Sequence, residues 1–129
     1  MDVKERAEKA VEYKHAGYNC AQAVVAACAD MVRVPEEDLV KMTSGFGAGM
    51  GCMEATCGAL VGAVMTAGLI KDGKGTVMSA RTMLKSFEQR SGATICRDLK
   101  GIGTGEVLCD CDDCVRNAVY VLAEAVGEA

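Results

Sequence analysis

Tryptophan is absent from this 129-residue chain, and three tyrosines and two phenylalanines are its only aromatic residues. A core must therefore be filled by alanine, valine, leucine and methionine. A single proline leaves long helices free to form. Positive charge is also scarce. Fourteen Lys and Arg face eighteen Asp and Glu, for a net charge of −4. No basic stripe interleaves with aromatics, which argues against nucleic-acid binding. Ordinary solubility accounts for the acidity. The N-terminal run MDVKERAEKAVEYKH is charged and lacks the apolar stretch of a signal peptide. The longest uncharged apolar run, Ala55 to Ile70, falls short of the roughly 20 residues that span a membrane. It reads as a buried helix, and a cytoplasmic protein with reduced thiols is the expectation. No G-K-[ST] sequence, Ser/His/Asp set or paired inward carboxylates stand out. The one histidine, His15, reads as a helix C-terminal cap or a solvent-facing residue.

What is present is apolar bulk, glycine and cysteine. Half of the residues are hydrophobic, enough for one core without disulfide staples. Fifteen glycines belong at helix ends, in loops or at close helix contacts. Eight cysteines make up roughly 6% of the chain, below the roughly 8–10% of small disulfide scaffolds but high for a cytoplasmic domain.

Apolar spacing predicts a first helix from Asp2 to His15, stopped by Gly17. Asn19 can cap a second, nearly all-apolar helix to about Val32. Pro35 with Glu36, Glu37 and Asp38 opens a short third helix ending near Ser44. A glycine-rich loop follows from Gly45 to Gly51. The fourth helix is expected over Met53 to Leu69. Its Gly58, Ala59, Gly62 and Ala63 form a flat face, suited either to a homodimer or to an internal helix contact. A fifth helix, capped by Thr76, runs to Arg90. One helical turn is expected around Cys96 to Leu99, and a last helix over Cys111 to Val126. No strand alternates convincingly. The expected fold is all-α: one compact domain over residues 1–129, a bundle of about five to six helices.

The cysteines divide by position. Cys20 follows a predicted N-cap, Cys57 lies early in the fourth helix, Cys96 lies at a short helical turn, and Cys111 opens the last helix. Exposed N–H groups and the dipole at a helix start favour a thiolate, the form that ligates metal or attacks a disulfide. Four such segments can converge at one end of a bundle. Cys28 lies eight residues beyond Cys20 on the predicted helix, about 12 Å along its axis, and reads as core. Cys109, Cys111 and Cys114 form a C-x-C-x-x-C run. A four-cysteine zinc site usually shows two C-x-x-C pairs, and only one is present. Cys52 and Cys57 have the C-x4-C spacing of plant-type ferredoxins without the C-x2-C that continues it. Cys52, Cys109 and Cys114 thus remain secondary candidates. The segment GFGAGMG is a tight turn or a source of N–H donors to sulfur. Arg97 is a surface residue or a cation that acidifies Cys96. Met42, Met50, Met53, Met65, Met78 and Met83 read as core packing.

The residues Cys57 to Gly62, CGALVG, resemble the CGAxxG motif of the redox-active family named for its C_GCAxxG_C_C pattern. GYNCAQAV from Gly17 to Val24, SGFGAGMG from Ser44 to Gly51, the CRDLKG segment at Cys96 and the C-terminal CDDCVRNAVYVL resemble that family's blocks in order. The resemblance implies four marker cysteines. By motif these are Cys20, Cys57, Cys96 and, for its spacing to Val115–Ala118, Cys111. It implies a redox role, and the family's domain is associated with iron–sulfur binding in some multi-domain redox proteins. The leading expectation is a small electron-transfer or redox-sensing protein, working with a redox partner protein. It would carry a [2Fe–2S] or [4Fe–4S] cluster on Cys20, Cys57, Cys96 and Cys111. The alternatives are a metal-free thiol–disulfide protein and a structural zinc domain acting as an interaction module.

Overall fold

Asp2 starts the first helix: its side chain accepts the Glu5 N–H at 2.8 Å, and α1 runs over Val3–His15. Residues 1–127 are described by the computed structural model. Asn19 begins α2, Cys20–Ala27, through a reciprocal cap. Its side chain accepts the Gln22 N–H at 2.9 Å, and Gln22 Oε1 accepts the Asn19 N–H at 3.0 Å. Every residue of α2 except Gln22 is buried.

This helix ends five residues before the predicted Val32. Cys28 terminates it, and a single 3₁₀ turn, Ala29–Met31, follows. Arg6 of α1 explains the stop. Its Nη1 donates to the Ala27 carbonyl at 2.7 Å and to Asp30 Oδ1 at 2.5 Å, so a guanidinium satisfies the helix end.

The short α3, Glu36–Met42, starts one residue after Pro35. The glycine-rich segment contains left-handed residues at Ala48, Met50 and Met53 and a single π turn over Gly49–Met53. The fourth helix therefore starts later than predicted: α4 spans Gly58–Ile70. Residues 54–57 are held outside the helix by a pairing with residues 94–96. Thr56 and Ile95 form an antiparallel bridge. The Cys57 N–H donates to Thr94 O at 2.8 Å and the Cys96 N–H to Ala55 O at 3.0 Å. Thr76, the predicted cap, is instead the first residue of α5, Thr76–Ser91. The expected single turn is α6, Cys96–Lys100, and α7, Cys111–Val126, keeps its predicted bounds. The described residues thus hold seven α-helices, slightly more than expected, because two short ones, α3 and α6, join the five that form the bundle.

Helix α4 packs against α2, α5 and α7, while α1 covers α2 and α7. Phe87, Leu60, Leu122 and Val115 lie in the core among many alanines. The flat face of α4 is used internally. A Cβ at Gly62 would stand 2.8 Å from the Ala21 carbonyl oxygen, so the bare glycine permits α2 to approach. Such small contacts leave little space for long fillers, which corrects the expectation for methionine. Met83 is buried, but Met42, Met50, Met53 and Met78 are exposed. No helix of the described residues is long and apolar enough to cross a membrane.

Gly62→Ala sets helix propensity against this contact. Alanine favours the helix by about 1 kcal/mol. Overpacking against rigid backbone costs about 1–3 kcal/mol, so net destabilisation is expected. At Gly68 the nearest atom to an added Cβ is the Thr76 methyl at 3.4 Å, so Gly68→Ala should be neutral or stabilising. Urea unfolding of the two variants checks this. A Gly62→Ala protein as stable as wild type would contradict the contact's role.

Candidate functional site

Helix starts bring the thiols together. Cys20, Cys96 and Cys111 are the first residues of α2, α6 and α7, and Cys57 immediately precedes α4. All four line one pocket, and Cys109 and Cys114 join them. The pairing of residues 54–57 with 94–96 sets Cys57 beside Cys96. The Asp110 cap, which accepts the Asp113 N–H at 2.8 Å, starts α7 so that Cys111 and Cys114 reach the same cavity. Five of these cysteines are buried and Cys111 is half-buried. No carboxylate or imidazole lines the pocket.

The two remaining cysteines lie elsewhere. Cys28 is fully buried in the core, as expected, although it caps α2 rather than extending it. Cys52 is exposed on the π turn, where its thiol donates to the Gly49 carbonyl at 3.6 Å.

The six thiols face one small cavity. The cavity among them is about 10 Å³, near the minimum for one water. Among the described residues, no three His, Cys, Asp or Glu side chains are already arranged as a metal-ion site. The thiols instead hydrogen-bond to one another in the order Cys111, Cys20, Cys57, Cys114, Cys109. Hydrogen bonds from Cys111 and Cys57 hold the Cys20 thiol well below its ordinary value, helped by the Ala48 N–H and the Lys100 ammonium. Cys114 is lowered too, chiefly by its hydrogen bond from Cys57. Their partners Cys57 and Cys111 are raised, because each holds a proton against an acidified neighbour. Burial and the adjacent Cys114 push Cys109 up to about 12. Two acidified sulfurs thus alternate with three whose thiols are raised.

Gly58 makes room for this chain of thiols. A Cβ there would lie 2.4 Å from the Phe46 carbonyl oxygen and 2.8 Å from Cys20 Sγ. The glycine-rich segment supplies the N–H donor to sulfur, at Ala48. Burial raises the Cys96 thiol, and the cation that opposes this rise is Lys100, which lines the pocket four residues later on α6. Arg97 does not fill that role. Lys14 exerts its charge on Cys111 and bonds Asp112 Oδ1 at 3.1 Å. His15 meets the same carboxylate at 2.8 Å and stays largely exposed, as the reading of a solvent-facing residue expects.

Cys28 supplies a pH test free of these couplings. Burial pushes its thiol up to about 12. An unfolded thiol titrates near 8.5. Its folded value is the higher one, so its contribution to stability is full below about pH 8.5 and is lost as pH rises toward 12. Each unit in that window costs about 1.4 kcal/mol. Between pH 8.5 and 10.5, the stability of reduced wild type relative to Cys28→Ala should fall by about 2 kcal/mol in urea unfolding. A constant difference would contradict the burial account.

No curated protein and no solved structure matches the chain. Residues 18–125 match the family described as "Putative redox-active protein (C_GCAxxG_C_C)". That range takes in every cysteine, both glycine contacts, the 56–95 bridge, the Ala48 donor and Lys100. The chain belongs to the C_GCAxxG_C_C family of redox-active proteins.

Proposed function

We propose that the protein is a small electron-transfer or redox-sensing module that binds an iron–sulfur cluster through Cys20, Cys57, Cys96 and Cys111. The observation that carries this reading is a pocket lined by six thiols and no competing carboxylate or imidazole, in a family described as redox-active. Soft thiolate donors suit iron–sulfur clusters and zinc alike. Zinc has no redox chemistry of its own, so the family favours iron. The donor set fits in kind and number, the thiol protons are those a metal displaces, and the sulfurs must move apart to admit a cluster larger than the present cavity of about 10 Å³.

A bound cluster supplies one-electron transfer. The chain's own residues would tune it. The Ala48 N–H donates to the Cys20 sulfur, and such donors raise reduction potential. The Lys14 and Lys100 ammoniums offset thiolate charge. Burial of Cys20, Cys57 and Cys96 keeps water from the sulfurs.

Anaerobic purification followed by visible spectroscopy and iron and sulfide analysis tests the proposal. Brown protein with matched iron and sulfide is expected. Cys20→Ser and Cys57→Ser should lose the colour, while Cys28→Ser and Cys52→Ser keep it. Colourless protein with a reversible disulfide among the four cysteines would replace the proposal with thiol–disulfide chemistry. Stoichiometric zinc would replace it with a structural role.

A further inference from the structure

Four ligands leave two pocket thiols unassigned, Cys109 and Cys114. They are adjacent: Cys114 Sγ donates to the Cys109 carbonyl at 3.7 Å, and each thiol shifts the other's titration. Cys109 stands at a boundary. It lines the inner thiol pocket and also an outer groove of about 440 Å³, bordered by Arg90, Leu108, Asp113 and Asn117. Among the described cysteines, it alone belongs to both.

Polar groups converge on this sulfur from the groove side. Asn117 Nδ2 lies 3.8 Å from Cys109 Sγ and donates to Ser91 Oγ at 2.9 Å. The Ser91 side chain, itself 4% exposed, accepts that bond and favours the thiolate of the same cysteine. Two buried or half-buried polar side chains are thus placed to hold one sulfur that the four-cysteine site does not use.

We infer that Cys109 and Cys114 form a dithiol–disulfide couple of their own, oxidised through the outer groove by a low-molecular-weight disulfide. The Cys109 proton passes to the acidified Cys114 sulfur beside it, and the Cys109 sulfur attacks one sulfur of the incoming disulfide. The incoming S–S bond breaks, and the first leaving thiolate takes up a proton. Cys114 then loses its proton and attacks the Cys109 sulfur of the mixed disulfide. The Cys109–Cys114 bond forms, and the second thiolate leaves and is protonated. Two protein thiols are oxidised by two electrons, and one disulfide is reduced to two thiols. This couple rests on the proposed function only in leaving Cys111 to the cluster.

The test exposes anaerobically isolated, fully reduced protein to glutathione disulfide. Remaining thiols are then blocked, and the unfolded chain is cleaved before Asp110, Asp112 and Asp113, which separates the three neighbouring cysteines. Mass spectrometry should find a Cys109–Cys114 link and two glutathione thiols released per link formed. Cys114→Ser should trap glutathione on Cys109, and Cys109→Ser should form neither product. Iron and colour are measured on the same samples. The link without iron sinks the cluster and leaves this couple standing. A link joining Cys57 to Cys114 or Cys20 to Cys111 overturns the couple, as does the absence of any link. Loss of iron in Cys109→Ser or Cys114→Ser also overturns it, by making those residues ligands, while the cluster reading survives with a different ligand set.

Discussion

Two missing side chains govern how closely α2 and α4 meet, and the thiol pocket depends on that approach. At Gly62 the backbone of α2 occupies the space a Cβ would need, with the Ala21 carbonyl oxygen 2.8 Å from that position. One turn earlier, at Gly58, the same space holds Cys20 Sγ and the Phe46 carbonyl. Any larger residue at Gly58 would push the glycine-rich segment away from α4. The Ala48 N–H would then leave the Cys20 sulfur, and Cys20 would leave Cys57. The glycines of the CGALVG segment are therefore parts of the site, although they carry no chemistry themselves.

Five of the six pocket thiols can share a small buried volume because they share protons. Fully protonated thiols pack as small apolar groups. Five separate thiolates in the same place would repel and would be poorly solvated. The alternation found here lies between these extremes. Cys20 and Cys114 are acidified by hydrogen bonds from neighbours that keep their protons. Lys14 and Lys100 add positive charge near the cavity. Such a set is poised either to exchange its protons for metal ions or to lose electrons in pairs as disulfides. The four-cysteine set suits the first outcome. Cys109 and Cys114, with polar support from Asn117 and access to the outer groove, suit the second.

Much of this arrangement was legible in the chain. Helix starts at Cys20 and Cys111 follow from Asn19 and Asp110, whose capping chemistry is local. The all-helical fold of the described residues and the core position of Cys28 follow from apolar spacing. The start of α4 did not, because the bridge between Thr56 and Ile95 joins segments far apart in sequence, and no local pattern marks it. The end of α2 likewise depends on Arg6 from another helix. The same distance effect hid the membership of Cys109 and Cys114. Their C-x-C-x-x-C spacing flagged them, but only the docking of α7 against α4 brings them to Cys57. Exposed methionines were misjudged because composition counts apolar residues without saying how much volume alanine-rich helices leave to fill.

The most direct test of the central claim is iron X-ray absorption on the anaerobically isolated protein. All six pocket donors are sulfur, so the account predicts an iron first shell composed of sulfur alone. Nitrogen or oxygen ligands in that shell, or no iron edge at all, would contradict it.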